Sequence, residues 1–518
     1  MRRGVPSLFV VSCSTMFTVQ QTKQGSRQMR RTLLLGVFAL VAAACTPTFF
    51  IGSSIDTHAT GPNTVRIGWN TAYDADYPDS DHLINHYEVL VDGVLVASPT
   101  PTVSYCLLSG LAGNTTYDIE VTAVTSNGER GDAIPALGVL STQVTTPAGG
   151  GGGAIACDSE TDSDGDRIPD VAETNTGIYI DKMNTGTDPN LADSDLDGLS
   201  DGDEVSGTID GLGLNQMGAN PNHQNVFLEI DWFDDSLECG AHSHRPTAAM
   251  VDRMIASFAA APIANPDGTT GIDMIVDYGQ GPPFNTGGSL VDDISGVDGN
   301  LVGGVNSAEY GAIKNANFHA VRENYFHYAL HVHRYNSSST SSGQAEIDGD
   351  DQIVSLYCFE SLTNTSNTMM HELGHNLGLR HGGNVSAPNR KPNYNSIMNY
   401  AFQFPGVDNP LSDPGGCDAA GDQVLDYSAG TRFVLNELAL LEPIGVCGLP
   451  IDWNGNTIID AIPVVANVNG DALFDVLADH NDWAALNLAS VSADGADGAR
   501  ISGPEVIEEQ PVPTEFQN

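Results

Sequence analysis

The sequence predicts a multidomain chain: an all-β module, a stretch of acidic loops, and an α/β (α+β) unit filling the second half. Three observations predict it. The 518 residues exceed what one hydrophobic core organises. Apolar and polar residues alternate between residues 55 and 147, and a glycine run at 148–154 closes that stretch. From residue 226 onward, short apolar runs alternate with helical spacing, the pattern of β-α-β units.

Charge narrows the partners. Lys and Arg number 20 against 66 Asp and Glu, a formal net charge of −46. Such a surface repels nucleic acid and anionic headgroups, which excludes a DNA or RNA partner. Many of the acids fall in Asp-rich loops, which points to bound cations. A halophilic or marine setting would give the same excess.

The N-terminus reads as a processing segment over residues 1–45, with Met29 as the expected true start. Arg30 and Arg31 precede an apolar run, and Ala42-Ala43-Ala44 precede Cys45. The stretch resembles a bacterial lipoprotein signal, which implies lipidation of Cys45. Ala42 stands where such signals more often carry leucine, and simple signal-peptidase cleavage is the alternative. The apolar run is too short for a membrane span, so membrane contact is expected through a lipid anchor alone. Either way the chain is expected to be exported, at the cell envelope or secreted.

Export permits disulfides. Cys13 and Cys45 aside, Cys106, Cys157, Cys239, Cys358, Cys417 and Cys447 remain. Sequence does not fix their pairing. Cys417 with Cys447 and Cys239 with Cys358 are candidates, and no pair has zinc-knuckle spacing.

Within 55–147, Val65–Trp69 and Tyr87–Val91 alternate as half-buried strands do, and Asp92-Gly93 marks a hairpin turn into Val94–Ala97. With Trp69 as an early core tryptophan and Leu111 and Tyr117 at a corner, the segment resembles a fibronectin type III domain. That resemblance implies a spacer or adhesive module that could present a surface to a ligand. The glycines of 148–154 are expected to be a flexible linker.

Over 157–220, Asp162, Asp164, Asp166, Asp170 and Glu173 fall at positions 1, 3, 5, 9 and 12 of a calcium loop. Asp193, Asp195, Asp197, Asp201 and Glu204 repeat the spacing, with Gly198 at the sharp turn and Arg167 in the equivalent place of the first loop. Long flanking helices are missing from the pattern. The runs resemble thrombospondin type 3 repeats, which implies calcium wrapped with little other secondary structure.

The α/β unit is expected over 222–448. Val226–Trp232 reads as a first strand, Pro246–Ala261 as a helix, Gly271–Asp277 as a second parallel strand and Ser307–Tyr325 as another helix. Phe326–Tyr335 reads as a strand with His327, Ala329, His331 and His333 on one polar face. Ser342–Ile347 and Gln352–Leu356 follow, the latter as an edge strand.

The chemistry concentrates next. His371 and His375 are four apart, so a helix puts both imidazoles on one face. Such a pair can bind one Zn²⁺, with Glu372 turned toward a water on the metal. Ser366 or Asn367 is the expected helix cap. Gly378 can end the helix in a left-handed turn that swings His381 back as a third ligand. Three protein ligands leave a fourth position open, the arrangement of catalytic zinc. The motif His371-Glu372-x-x-His375-x-x-Gly378-x-x-His381 resembles the metzincin clan of zinc endopeptidases. The resemblance implies a methionine turn at Ser396–Tyr400, with Met398 beneath the metal and Tyr400 reaching the zinc or the oxyanion. It also implies an extended peptide substrate lying along an edge strand.

Beyond it, Thr431–Leu441 is expected to be an amphipathic helix. Over 449–485, Asp452, Asn454, Asn456 and Asp460, then Asn467, Asn469, Asp471 and Asp475, form a pair of weak calcium loops lacking a terminal glutamate. Residues 496–518 are expected to be disordered. The function expected is peptide-bond hydrolysis by a zinc-activated water with Glu372 as general base. The alternatives are a calcium-dependent surface adhesin on a protease scaffold and a zinc amidase acting on cell-wall peptide.

Overall fold

The computed structural model describes residues 47–50, 52–73, 83–131, 138–236, 238–284, 287–292, 299–409, 417, 419–494, 505–511 and 513. Residues 1–45, read as a signal segment, and with them Cys45, lie outside the described residues. No helix among the described residues is long and apolar enough to cross a membrane. The chain forms two compact units: one of residues up to 194 with 200–222, the other of 195–199 with 223–518.

The first unit opens with β1 (Thr48–Phe49), β2 (Ile55–Gly61), β3 (Thr64–Trp69), β4 (Ala72–Tyr73), β5 (Ile84–Val91), β6 (Val94–Ala97), β7 (Tyr105–Ser109), β8 (Thr116–Thr125), β9 (Val139–Thr145) and β10 (Ala156–Asp158). Two four-stranded antiparallel sheets, ordered β10-β7-β3-β2 and β6-β5-β8-β9, enclose Trp69, Tyr87, Leu111 and Tyr117. The backbone N–H of Ala112 donates to the Tyr117 hydroxyl at 2.7 Å, the corner bond expected of such a sandwich. The glycine run is no free linker. Asn63 Nδ2 donates to the Gly151 carbonyl and Gly153 N to the Gly110 carbonyl, so the run lies on the sandwich. It leads into β10, which a Cys106–Cys157 disulfide fastens to β7. The acidic loops then fold with only two short helices, α1 (Asp201–Ser206) and α2 (Leu214–Met217).

The second unit is built on a six-stranded mixed sheet. Its strands are β11 (Asn225–Trp232), β14 (Asp273–Asp277), β15 (Phe326–His331), β16 (Gly343–Glu346), β17 (Asp351–Val354) and β20 (Val506–Glu508), in the order β14-β11-β15-β17-β16-β20. The first four in that order run parallel, and β16 lies antiparallel to both its neighbours. A hairpin of β12 (Asp234–Asp235) and β13 (His242–Ser243) leaves the end of β11. Helix α3 (Ala248–Ala259) makes the β11–α3–β14 crossover and packs on α5 (Leu362–Asn376), while α4 (Ala308–Asn317) precedes β15. Apolar faces of β11, β14, α3 and α5 share one core with Leu377, Ile397, Met398 and Tyr427.

Several expectations change. Thr431–Leu441 is not a helix; it holds β18 (Leu435–Asn436), paired with β19 (Val476–Leu477). Its spacing is overridden because Glu437 within it and Glu442 just after it are buried as acceptors for N–H groups of the loops that follow. Helix α5 is capped by Ser361, whose hydroxyl accepts from Asn364 N, not by Ser366 or Asn367, both buried within it. Strand β15 is buried on both faces, with its neighbours on either side, so His327 and His331 form no solvated face. Burial holds His327 down to about 4 and His331 down to about 3. Strand β17 is interior; the last paired edge belongs to β16, and β20 occupies it. That strand falls within the tail expected to be disordered. The disulfides Cys239–Cys358 and Cys417–Cys447 are both present.

Candidate metal centre

Helix α5 carries His371 and His375 one turn apart, both fully buried. His371 Nδ1 pairs with the Ile397 carbonyl at 2.8 Å and His375 Nδ1 with the Leu379 carbonyl at 2.7 Å. Those acceptors fix the tautomer and aim both Nε2 lone pairs at one point. Gly378 takes φ +92°, and the chain reverses there. His381 returns with its Nε2 3.2 Å from that of His375, the same separation as between His371 and His375. Two nitrogens at tetrahedral positions about 2.05 Å from a zinc ion would stand about 3.3 Å apart, so the trio fits that ion.

The floor is Met398. A Cβ on Gly374 would stand 2.4 Å from Met398 Sδ and 2.8 Å from the Tyr427 hydroxyl, so helix and methionine turn meet only because residue 374 is glycine. Tyr400 lies beside the centre, its ring tilted against His381 with centroids 4.1 Å apart. Glu372 is completely buried, and neither carboxylate oxygen has a hydrogen-bond partner. Burial and the nearby Glu509 charge push its carboxyl well above the usual range. A buried carboxyl group without a hydrogen-bond partner is costly, and a water between it and the imidazoles would supply one.

Sequence reasoning missed Glu509. Its Oε1 lies 3.0 Å from His375 Nε2 and 2.9 Å from His381 Nε2, and its Oε2 lies 2.9 Å from His371 Nε2. Burial opposes its ionisation, but His371 and His381 outweigh that and hold the carboxyl well below the usual range. Burial likewise holds His375 down to about 4, against the pull of Glu509. Strand β20 delivers the residue: Gln344 pairs with Glu508 and Glu346 with Val506, while Glu509 N donates to the Gly343 carbonyl and Ser341 Oγ to that of Glu509. The Tyr400 hydroxyl meets the Glu508 carbonyl at 3.4 Å. Gly343 was also missed; a Cβ there would fall 2.1 Å from Glu372 Oε1. Nothing local in a Pro/Glu-rich tail marks one glutamate among several, and a strand glycine signals only close approach.

The calcium residues divide. In the first loop Asp162 accepts from Gly165 N and Arg167 N, and Arg167 adopts φ +85° where glycine was expected. Asp164, Asp166 and Glu173 each keep a buried oxygen without a hydrogen bond. Asp170 accepts from Ser163 N and Oγ, as Asp201 accepts from Ser194 N and Oγ in the second run. Asp162, Asp164 and Asp166 of the first loop lie within ligand reach of one another, and Asp201 from the second run lies likewise with Asp166 and Glu173. Burial pushes Asp166 and Glu173 up to about 8 and Asp201 up to about 7, with neighbouring carboxylates adding to the shift. Such a set fits a divalent cation bound through oxygen. The rest of the second run is split: Asp193 and buried Glu204 belong to the first unit, Asp195 and Asp197 to the second. Asp197 Oδ2 accepts from Asn225 N at the start of β11.

In the C-terminal pair, Asp452, Asn454, Asn456 and Asp460 bond mainly to one another, as do Asn467, Asn469 and Asp471. The missing glutamate comes from elsewhere. Glu442 accepts the N–H groups of Trp453, Asn454 and Asp460, and Glu437 those of Val468, Asn469 and Asp475. Both are fully buried, so these loops are clasped by carboxylate whether or not a cation is bound.

No protein-family model and no curated protein matches the chain. Solved structures do. The central fibronectin-III array of RIM-binding protein matches at 21% identity over 19% of this chain and 35% of its own, TM-score 0.16. The Clostridium perfringens spore cortex lytic enzyme SleM matches at 13% over 20% and 29%, TM-score 0.15. The fn3 domain of human collagen alpha-1(XX) chain matches at 17% over 22% and 94%, TM-score 0.16. The chain thus spans about a third of the first two structures' length, and such scores say nothing of function. The chain is a multidomain, sheet-rich protein with fibronectin type III neighbours.

Proposed function

We propose that the chain is an exported zinc-dependent endopeptidase of metzincin type. One observation carries the reading: three buried imidazoles converge at 3.2 Å spacing beside a buried, unpartnered Glu372. His371, His375 and His381 would hold the zinc, which when bound activates water and polarises the scissile carbonyl. Glu372 takes the water proton and hands it to the leaving amine. Tyr400 donates a hydrogen bond toward the developing oxyanion. Met398 and the Ile397 and Leu379 carbonyls keep the imidazoles in place.

The edge of β16 favours a peptide over another amide. It pairs antiparallel with an extended segment, Val506–Glu508, through main-chain bonds that any peptide could make. Glu509 sits where a scissile carbonyl would have to lie, so turnover requires this segment to leave. Calcium at Asp164, Asp166, Glu173 and Asp201 would order the first unit. Glu372→Ala protein should retain zinc and lose nearly all hydrolysis of casein or gelatin, an activity that a zinc chelator also abolishes. Zinc-loaded Glu372→Ala with undiminished turnover would refute the mechanism. A catalytically silent wild type freed of residues 505–518 would favour the adhesin reading.

A further inference from the structure

A second group of imidazoles lies in the same unit and shares no residue with the first. Strands β11 and β15 run parallel and end together at Trp232 and His331. Just past those ends, Asp235 and His333 face one another, and the β12–β13 hairpin brings His242 opposite Asp235 in register. His244 follows directly. One carboxylate meets all three rings: Asp235 Oδ2 is 2.5 Å from His244 Nε2 and 3.1 Å from His333 Nδ1, and its Oδ1 is 3.5 Å from His242 Nδ1. The ring centroids stand 4.6, 5.6 and 5.8 Å apart, against 4.9, 4.9 and 5.4 Å for the trio on and after α5.

Three features distinguish this group from an ordinary buried ion pair. The His333 side chain is fully buried, and neither ring nitrogen makes a hydrogen bond, although Nδ1 is within 3.1 Å of the carboxylate. A ring that close but not aligned for a proton is placed as one ligand lies beside another on a shared ion. His244 turns its other nitrogen, Nδ1, onto Glu360 Oε1 at 2.6 Å, the outer carboxylate that metal-bound histidines commonly carry. The Cys239–Cys358 disulfide, between the two hairpin strands at one end, holds the hairpin against the segment after β17. The crevice at the carboxyl ends of parallel strands is also where open α/β sheets bind ligands.

We infer that Asp235, His242, His244 and His333 form a second metal site, built for a zinc-class dication and closed by four protein ligands. Three imidazoles and one carboxylate suit Zn²⁺ and the neighbouring transition ions, and poorly suit the all-oxygen preference of Ca²⁺. With no position left for water, the ion's work is structural: it ties the hairpin to the end of β15, as the disulfide ties it to the segment after β17. The inference does not depend on the first trio binding zinc.

The test uses the full chain with His371→Ala and His381→Ala, which removes the first trio. Titration with Co²⁺ should give a single tight equivalent with the intense visible bands of a tetrahedral ion, displaced by Zn²⁺. Adding His244→Gln and His333→Gln should abolish those bands, and the milder Asp235→Asn should weaken binding at least tenfold with an unchanged far-ultraviolet circular dichroism spectrum. Absent bands in the first variant, or bands that survive both sets of substitutions, would overturn the site.

Discussion

Glu509 gives the sharpest quantitative expectation. Replacing it by glutamine keeps its size and the β20 pairing but removes the charge that faces His371, His375 and His381. A contact made by an ionised group contributes about 1.5–3 kcal/mol, against about 1 kcal/mol for a neutral one. The substitution therefore weakens the closed arrangement by about 1–2 kcal/mol, and the open population rises roughly 5–30-fold, since about 1.4 kcal/mol is tenfold. Turnover should rise by that factor in a fluorogenic peptide assay, run at low substrate on zinc-loaded protein. Deleting residues 505–518 should raise it further, and a synthetic peptide with the sequence of residues 505–511 should then inhibit competitively. Equal or lower activity in Glu509→Gln at unchanged zinc content would refute the reasoning.

Other outcomes follow from the same geometry. Without calcium, Asp166, Glu173 and Asp201 have folded pKa values raised above their unfolded ones. The contribution of these three groups to stability in chelator should therefore be fully present below about pH 4 and be lost as pH rises toward 8, by about 1.4 kcal/mol per pH unit for each proton that the folded state keeps and the unfolded state has lost. Calcium should flatten that profile in thermal unfolding and protect residues 157–220 from proteolysis; identical melting curves with and without calcium would contradict it. Glu442→Ala removes the acceptor of three backbone N–H groups and should cost about 2–4 kcal/mol, read as a lowered denaturation midpoint, with proteolytic nicking near residues 452–460. Gly343→Ala puts a methyl 2.1 Å from Glu372 Oε1, displacing the base. It should reduce kcat at least tenfold while zinc affinity stays within about twofold.

Much of the centre is legible because its determinants are local. The four-residue step from His371 to His375 needs only a helix, and Gly378 needs only the left-handed turn that glycine tolerates. Trp69, Tyr117 and the hairpin at Asp92-Gly93 likewise write a sandwich into short-range pattern. The parallel β11–α3–β14 unit follows from runs whose period is plain. Where a residue's role depends on a distant segment, the pattern fails. The helical spacing of Thr431–Leu441 lost to the demand of two loops for Glu437 within it and Glu442 directly after it. One group of converging carboxylates crosses the repeats, Asp201 lying with Asp166 and Glu173, because the fold and not the spacing brings them together.

The sequence by itself determined the three imidazoles and Glu372 as one group, since each sits within one helix and one turn of the others. Tertiary structure alone decided which strand is the edge, that a glutamate more than a hundred residues away enters the centre, and that Asp235, His242, His244 and His333 meet. The physical reason is range. Helical phase and glycine torsions are set by neighbours in the chain, whereas strand order and buried charge are set by what the whole sheet must cover and pair.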